Sequence, residues 1–144
     1  MGTLVSIIIP CYNEEKFIGE CLQSIVDQSY PPELIEVIVI DGSSTDKSVS
    51  IVQKYSKSLS KITQLINPQK ITPISLNIGV KAAAGEIIVI LGAHSFIHRD
   101  FINNGVLALG DKDAVCVGGP IENIGNCYIG RAIALAMKSS FGVG

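Results

Sequence analysis

The chain has 144 residues, of which 47% are hydrophobic and 17% charged, so it is long enough for one domain with a core and too short for two ordinary domains. Eleven Lys and Arg against thirteen Asp and Glu give a net charge of −2, which excludes the basic field that binds nucleic acid or an anionic membrane surface. Every apolar run is far shorter than the ~20 residues of a membrane span, so we expect no membrane-crossing helix.

Five apolar bursts, rich in Ile and Val, do not alternate with polar residues, which is typical of strands buried on both faces of a parallel sheet. They span residues 4–9, 35–40, 62–66, 86–91 and 114–117. The stretches after them carry apolar residues at helical spacing, at 14–28, 49–59, 74–84, 96–109 and 130–137. This alternation predicts an α/β fold, an open, mostly parallel, doubly wound sheet with helices on both faces.

Three residues are expected to mark the ends of elements. Pro10 cannot donate to a central ladder and is the predicted exit of the first strand. Asn13 is the predicted N-cap of the first helix. Gly85 is the predicted C′ residue that ends the third helix. Ligands of such sheets bind beyond the carboxyl ends of the strands. The candidate site therefore collects residues 10–13, 41–44, 77–81, 92–95 and 118–120.

The cysteines and the N-terminus favour a cytoplasmic protein. The first apolar run is too short for a signal sequence. The cysteines lack the paired spacing of a zinc site, and Cys116 falls in a predicted buried strand, so we expect reduced thiols. The four are Cys11, Cys21, Cys116 and Cys127.

Two loops carry groups suited to a nucleotide, although neither a G-x-G-x-x-G turn nor a P-loop is present. Tyr12 offers an aromatic face for a base, and the alternative is a surface tyrosine beside a helix cap. Asp41 ends an apolar strand and offers a carboxylate to a base or ribose; its alternative role is to cap the next helix. His94 is the single metal or acid–base candidate after the fourth strand, and a lone histidine is more often structural.

Four segments in order then resemble one family: VSIIIPCYNEE, LQSIVDQSYP, VIVIDGSSTD and LNIGVKAAAGEIIVILGAHS. Over nearly the whole chain they are similar to the N-terminal half of the family 2 glycosyltransferases, inverting enzymes that use a nucleotide sugar, and within it to bacterial exopolysaccharide transferases. The resemblance implies a Rossmann-like nucleotide-sugar-binding fold, with residues 1–144 as the donor-binding part of the catalytic domain. It implies a nucleotide-binding set of Pro10, Tyr12, Glu14, Asp41, Asn77, Gly79 and Lys81, the last three near the diphosphate.

The chain departs from the family pattern at three positions. Gly92 stands at the first residue of the metal-binding Asp-x-Asp or Asp-x-His signature, which leaves His94 as the matching ligand. We therefore expect a divalent cation, Mg²⁺ or Mn²⁺, to bind with reduced affinity. Leu76 stands where members often carry Arg, which predicts a missing phosphate contact. Gly42 stands where many carry a second Asp, so base recognition is expected to depend on Asp41.

The resemblance implies transfer of a sugar, from a UDP-sugar by default, to a saccharide or lipid-linked acceptor in polysaccharide synthesis. The family's general base is expected beyond Gly144, so the acceptor part is predicted to be absent and residues 1–144 to be inactive alone. The protein is expected at the inner face of the membrane, through segments outside this chain. Two alternatives are a non-catalytic nucleotide-binding module of the same fold and an unrelated dinucleotide-dependent oxidoreductase.

Overall fold

The structure, a computed structural model, describes residues 2–111, 114–125 and 128–138. In that part of the chain four strands alternate with helices. The strands are Val5–Cys11 (β1), Ile35–Asp41 (β2), Ile62–Ile66 (β3) and Ile87–Ile90 (β4). The α-helices are Ile18–Val26 (α1), Ser48–Lys54 (α2), Thr72–Ala82 (α3), Phe101–Asp111 (α4) and Tyr128–Lys138 (α5).

All four strands run parallel, in the order β3-β2-β1-β4. The chain winds outward from β1 to β3 and then returns to the other side of β1 to form β4, so the winding reverses between β1 and β4. The predicted fold class, an open parallel sheet with flanking helices, is confirmed.

Burial on both faces of β1 and β2 explains why their sequences do not alternate. Ile7 and Val37 belong to the larger core, which α1 and α2 cover. Ile8, Ile38 and Ile40 point to the opposite face, where residues of α3 cover them. A residue that faces either side of these strands is removed from water, so each position favours an apolar side chain.

Pro10 lies inside β1 and does not mark its end. Backbone groups along a strand point alternately to its two neighbours. Ile8 O accepts a hydrogen bond from Leu91 N on the β4 side, whereas Cys11 O accepts one from Gly42 N on the β2 side. The ring nitrogen of Pro10 therefore faces the β4 side, beyond the last residue pair of that ladder. The missing N–H removes no ladder bond.

Asn13 is not the N-cap of α1, which begins at Ile18 with Phe17 in the N-cap position. Asn13 has a φ of 54°, and its side-chain oxygen accepts a hydrogen bond from Thr45 N at 2.8 Å. The asparagine thus joins two loops, which a helix-capping geometry would not allow.

Gly85 does not end α3 in a left-handed conformation, because the helix stops at Ala82 and Ala83 is extended. A Cβ at Gly85 would lie 2.6 Å from Ser6 Oγ and 2.7 Å from Ser6 N. Gly85 N instead donates to Ser6 Oγ at 2.8 Å, and that hydroxyl donates to the Glu36 carboxylate. Close approach to β1 is the reason for a glycine here.

The helix predicted over 96–109 begins later, at Phe101, because side chains of α1 and of the residues just after it bind the backbone before Phe101. Ser24 Oγ, in α1, accepts a hydrogen bond from Ile97 N at 3.2 Å, and the side chain of Gln28, two residues after α1, donates to His98 O at 2.9 Å. These bonds hold the segment outside a helix.

The predicted fifth strand, 114–117, is wrong for this structure. The described segment pairs with no strand, and nothing covers both of its faces, so Val115 and Cys116 are exposed. Residues 118–120 consequently follow no strand, and they do not line the cleft at the sheet edge described below. Cys127 lies outside the described residues.

Candidate functional site

A cleft of about 260 Å³ opens at the carboxyl ends of β1 and β4, where the winding reverses. Open parallel sheets bind their ligands at this position. The structure brings Pro10, Tyr12, Glu14 and His94 together in the lining. Other lining residues are Cys11, Gly42, Lys70, Thr72, Ser75, Leu76 and residues 90–93.

Hydrogen bonds hold the loop after β1 against the loop after β2. Three consecutive backbone N–H groups, of residues 13–15, donate to the side chains of Ser44, Ser48 and Asp46 at 2.9, 2.8 and 3.0 Å. In return, the Glu15 carboxylate accepts from Lys47 N at 3.1 Å. These bonds hold together the two loops that carry the lining residues Glu14 and Gly42.

Asp46 is the centre of this loop contact. Its second oxygen accepts from Ser48 N at 2.9 Å. Desolvation raises the pKa of Asp46, but the hydrogen bonds from Ser48 and from the backbone of Glu15 outweigh it and hold that pKa below its usual value. The charged carboxylate is the form that the two loops bind.

Tyr12 stands half exposed at the cleft, with 44% of its surface accessible. Lys70 Nζ lies 4.7 Å from the centre of the Tyr12 ring and donates to its hydroxyl at 3.2 Å. Gly42 also approaches Tyr12 closely, because a Cβ there would lie 3.2 Å from Tyr12 Cβ. The absence of a side chain at 42 leaves room for the tyrosine, and a second acidic residue at this position would crowd it.

Asp41 ends β2 and is only 4% exposed. Its Oδ2 accepts a hydrogen bond from Ser44 N at 3.0 Å. Oδ1 is buried and has no hydrogen-bond partner among the described residues. One oxygen closes the loop after β2 and does not cap α2, which begins at Ser48. The other oxygen keeps its acceptor capacity in a residue that pairs with Cys11 in the sheet register, and its role toward a ligand stays a prediction.

Cys11 carries a thiol and pairs with Asp41 in the sheet register. Burial, together with the charge of Asp41, raises the pKa of the Cys11 thiol to about 12. Burial raises the pKa of Cys21 to about 12 as well. Because the thiolate is the reactive form, both cysteines are structural at neutral pH.

Glu14 and His94 face each other across the cleft, with Glu14 Oε1 3.2 Å from His94 Nδ1. A Cβ at Gly92 would lie 3.7 Å from His94 Nε2 and 3.2 Å from Ser95 Oγ. In the described part of the chain no three His, Cys, Asp or Glu side chains converge as a metal site would require. One carboxylate and one imidazole fit a divalent cation only if the bound ligand supplies further oxygens.

Four of the seven predicted nucleotide-binding residues lie outside the cleft lining: Asp41, which is buried next to the lining residue Gly42, and three residues on α3. Asn77 and Lys81 are exposed. Gly79 is buried where α3 crosses the sheet, and a Cβ there would lie 2.4 Å from Ile8 Cγ2 and 2.9 Å from Ile40 Cδ1. The structure therefore gives Gly79 a packing role.

The first turns of α3, and the loop before them, contribute cleft residues that the sequence analysis missed, namely Lys70, Thr72 and Ser75; Leu76, which the sequence analysis named, also lines the cleft. The sequence did contain a signal for the residues of the loop before α3. The segment Asn67-Pro68-Gln69-Lys70 directly follows the third strand, so the rule that placed the other loops at the carboxyl edge applied to it as well.

Residues 6–137 match the sequence profile described as Glycosyl transferase family 2. The chain belongs to this family. A family 2 relative from Methanococcus voltae, a dolichyl N-acetyl-alpha-D-glucosaminyl phosphate 3-beta-D-2,3-diacetamido-2,3-dideoxy-beta-D-glucuronosyltransferase, is 36% identical over 104 residues. That match covers 71% of this chain and 32% of the relative.

Solved structures of the family superpose on the chain. TarS of Staphylococcus aureus in complex with UDP gives a TM-score of 0.69 at 28% identity, covering 83% of this chain and 39% of that one. A mannosyltransferase from Pyrobaculum calidifontis in complex with GDP-Man and Mn²⁺ gives 0.73 at 33% identity, covering 83% and 37%. The chain thus spans between a third and two fifths of these relatives' lengths.

The lengths and hydropathies of the helices bear on whether the chain crosses a bilayer. None of the helices within residues 2–111, 114–125 and 128–138 is long and apolar enough to do so.

Proposed function

We propose that the cleft binds the nucleoside diphosphate of a sugar donor and that the chain is the donor-binding part of a family 2 glycosyltransferase. The observation that carries the proposal is the unpartnered, buried Oδ1 of Asp41, whose neighbour in the chain, Gly42, lies against the accessible Tyr12 side chain. A buried acceptor without a partner costs about 1–3 kcal/mol. A ligand that donates a hydrogen bond to this oxygen recovers that free energy.

A nucleobase has the required chemistry. Uracil and guanine each carry a ring N–H that can donate to a carboxylate, and each presents a flat face for the Tyr12 ring. The pyrimidine is our default, since TarS is solved with UDP and with UDP-GlcNAc. The mannosyltransferase holds GDP-Man, so guanine is the base to test beside it.

A divalent cation fits this proposal as a group shared between protein and donor. Glu14 and His94 are the residues that would hold it. A bound cation supplies positive charge that stabilises the departing diphosphate. The Mn²⁺ in the mannosyltransferase complex supports this assignment, and Gly92 is the reason to expect weak binding.

In the reaction we propose, the acceptor hydroxyl oxygen bonds to the anomeric carbon of the sugar as the bond from that carbon to the diphosphate breaks. The hydroxyl must lose its proton to a base, which we expect beyond Gly144. A saccharide or lipid-linked acceptor is proposed from the Methanococcus voltae and TarS relatives, whose names contain a dolichyl phosphate and a poly(ribitol-phosphate). The cytoplasmic side of a membrane is the proposed location.

A non-catalytic nucleotide-binding module is the second candidate. Gly92 favours it, because the family carries a metal-binding carboxylate at this position. The described cleft also offers only two side chains, Glu14 and His94, as metal ligands. Both candidates predict nucleotide binding and differ in sugar transfer.

Thermal unfolding of the 144-residue chain with UDP, GDP and NAD tests the proposal. We expect UDP or GDP to raise the melting temperature in a concentration-dependent way, because a ligand that binds only the folded state stabilises it. Stabilisation by NAD alone, or by none of the three, contradicts nucleoside diphosphate binding. Transfer activity of the full-length protein then distinguishes the enzyme from the binding module.

A further inference from the structure

The charge of the cleft does not match the charge of the proposed ligand. A nucleoside diphosphate sugar carries two negative charges on its diphosphate. Glu14 adds a carboxylate to the lining, and the family's arginine position holds Leu76. Among the described lining residues, Lys70 is the one that carries a full positive charge at neutral pH.

The loop that carries Lys70 is built to hold it there. Asn67 is 1% exposed, and its amide donates to Ile71 O at 3.0 Å and to Ser75 Oγ at 2.9 Å. Asn67 N donates to Asp41 O at 2.8 Å, which ties the loop to the end of β2. Lys70 itself has a φ of 60°, a left-handed conformation that is unfavourable for lysine and that the surrounding bonds impose.

The ammonium group of Lys70 has a neutral neighbour. It lies over the Tyr12 ring and donates to the Tyr12 hydroxyl. The two ion pairs found in the described part of the chain involve His94 with Glu14 and His98 with Asp100. No described carboxylate neutralises Lys70, so its charge is available to an anion that enters the cleft.

Resting on the proposed function, we propose that Lys70 binds the diphosphate of the donor and supplies the positive charge that Leu76 does not. On binding, Nζ exchanges the Tyr12 hydroxyl for phosphate oxygens, which are much stronger acceptors for an ammonium group. Lys70 then contributes to donor affinity through charge, whereas Tyr12 contributes through its ring.

Calorimetric titration of the 144-residue chain with UDP, and with uridine as the ligand that lacks phosphate, tests this role. We expect Lys70→Gln to raise the Kd of UDP about tenfold or more and to leave that of uridine within about twofold, since a lost charged hydrogen bond has an effect of this size. Lys70→Arg should restore most of the UDP affinity. Added salt should weaken UDP binding more in the wild type than in Lys70→Gln.

Two lysine controls sharpen the comparison. Lys57→Gln removes an exposed charge outside the cleft and should leave both affinities unchanged. Lys81→Gln tests the position that the family resemblance assigned to the diphosphate, and we expect a smaller effect than at Lys70. Melting curves establish that each variant is folded.

The outcomes separate the two proposals. If wild type binds neither UDP nor GDP, the proposed function fails and this inference fails with it. If wild type binds UDP and Lys70→Gln binds it equally well, the role of Lys70 is wrong and the proposed function stands. A loss of UDP and uridine affinity by the same factor means that Lys70 only positions Tyr12, which also overturns the diphosphate role.

Discussion

Gly92 and His94 lie in the loop after β4, where an added carboxylate would come close to the imidazole. We expect Mn²⁺ to strengthen UDP binding weakly in wild type, because the protein offers only Glu14 and His94 as donors. The gain should disappear in His94→Ala and increase in Gly92→Asp, which adds an oxygen ligand. Calorimetric titration of UDP in the presence of Mn²⁺ and in the presence of EDTA measures this gain in affinity. Equal affinities under both conditions in wild type and in Gly92→Asp contradict a cation site here.

The thiols give a second prediction at the scale of single residues. Cys116 is exposed, whereas burial raises the pKa of Cys11 and Cys21 to about 12. At neutral pH iodoacetamide should therefore label Cys116 and spare the other two until denaturant unfolds the chain. Mass spectrometry of the peptides reads the sites separately. Labelling of Cys11 at the rate of Cys116 would show that its burial is wrong.

The positions of Tyr12 and Asp41 at the edge of the sheet could be predicted because each follows an apolar strand whose end is visible in the sequence. The free oxygen of Asp41 could not, since it depends on which backbone N–H reaches the other oxygen. Lys70 was missed for a similar reason. Its position depends on a left-handed backbone and on the buried Asn67, and neither leaves a periodic pattern.

At the scale of elements, the packing of α3 on the sheet gives a direct test of Gly79. Gly79→Ala should reduce the free energy of unfolding by about 1–3 kcal/mol, because its Cβ would overlap Ile8 and Ile40. Gly19→Ala, in α1, is the matched control. Its Cβ would meet Ile51 at 3.8 Å, so it should stabilise the chain by about 0.5–1 kcal/mol.

Denaturant unfolding measures both glycine variants. If Gly79→Ala keeps wild-type stability and loses UDP affinity, the glycine belongs to the binding site and not to the packing of α3.

The contact between the loops after β1 and β2 predicts a dependence of stability on pH. The pKa of Asp46 is held below its usual value, so its contribution is present at neutral pH and is lost as the pH falls through the native pKa, below about 4. Asp46→Asn should melt at a lower temperature than wild type at pH 7, and the difference should shrink at acid pH. A difference that stays constant between the two conditions contradicts this role of the carboxylate.

Strands were easier to predict than the ends of helices. Burial on both faces explains the continuous apolar runs of β1 and β2, which the sequence makes visible. The starts of α1 and α4 depend on hydrogen bonds between distant segments: the Asn13 side chain accepts from Thr45 N, and the Gln28 side chain donates to His98 O. Residues 114–117 are apolar, and that was visible in the sequence. Composition does not reveal whether another strand lies beside them to pair with, and among the described residues none does.

At the scale of the whole molecule, the chain matches between a third and two fifths of the lengths of the family members compared above. We expect residues 1–144 to bind UDP without transferring sugar from a UDP-sugar to a saccharide or lipid-linked acceptor. Product analysis by mass spectrometry checks this, with the full-length protein as the positive control. Transfer by the 144-residue chain that Asp41→Ala abolishes would place a complete catalytic site within it.

The central claim is that the cleft binds a nucleobase through Asp41, and calorimetric titration of UDP into wild type, Asp41→Asn and Asp27→Asn tests it most directly. The amide introduced by Asp41→Asn would keep an oxygen for Ser44 N and put an N–H₂ group where Oδ1 accepts. We predict a Kd at least about tenfold higher for Asp41→Asn. Asp27, which is exposed at the end of α1 and accepts a hydrogen bond from the Gln23 side chain, should have no effect when substituted. Equal UDP affinity in wild type and in a folded Asp41→Asn variant would contradict the account.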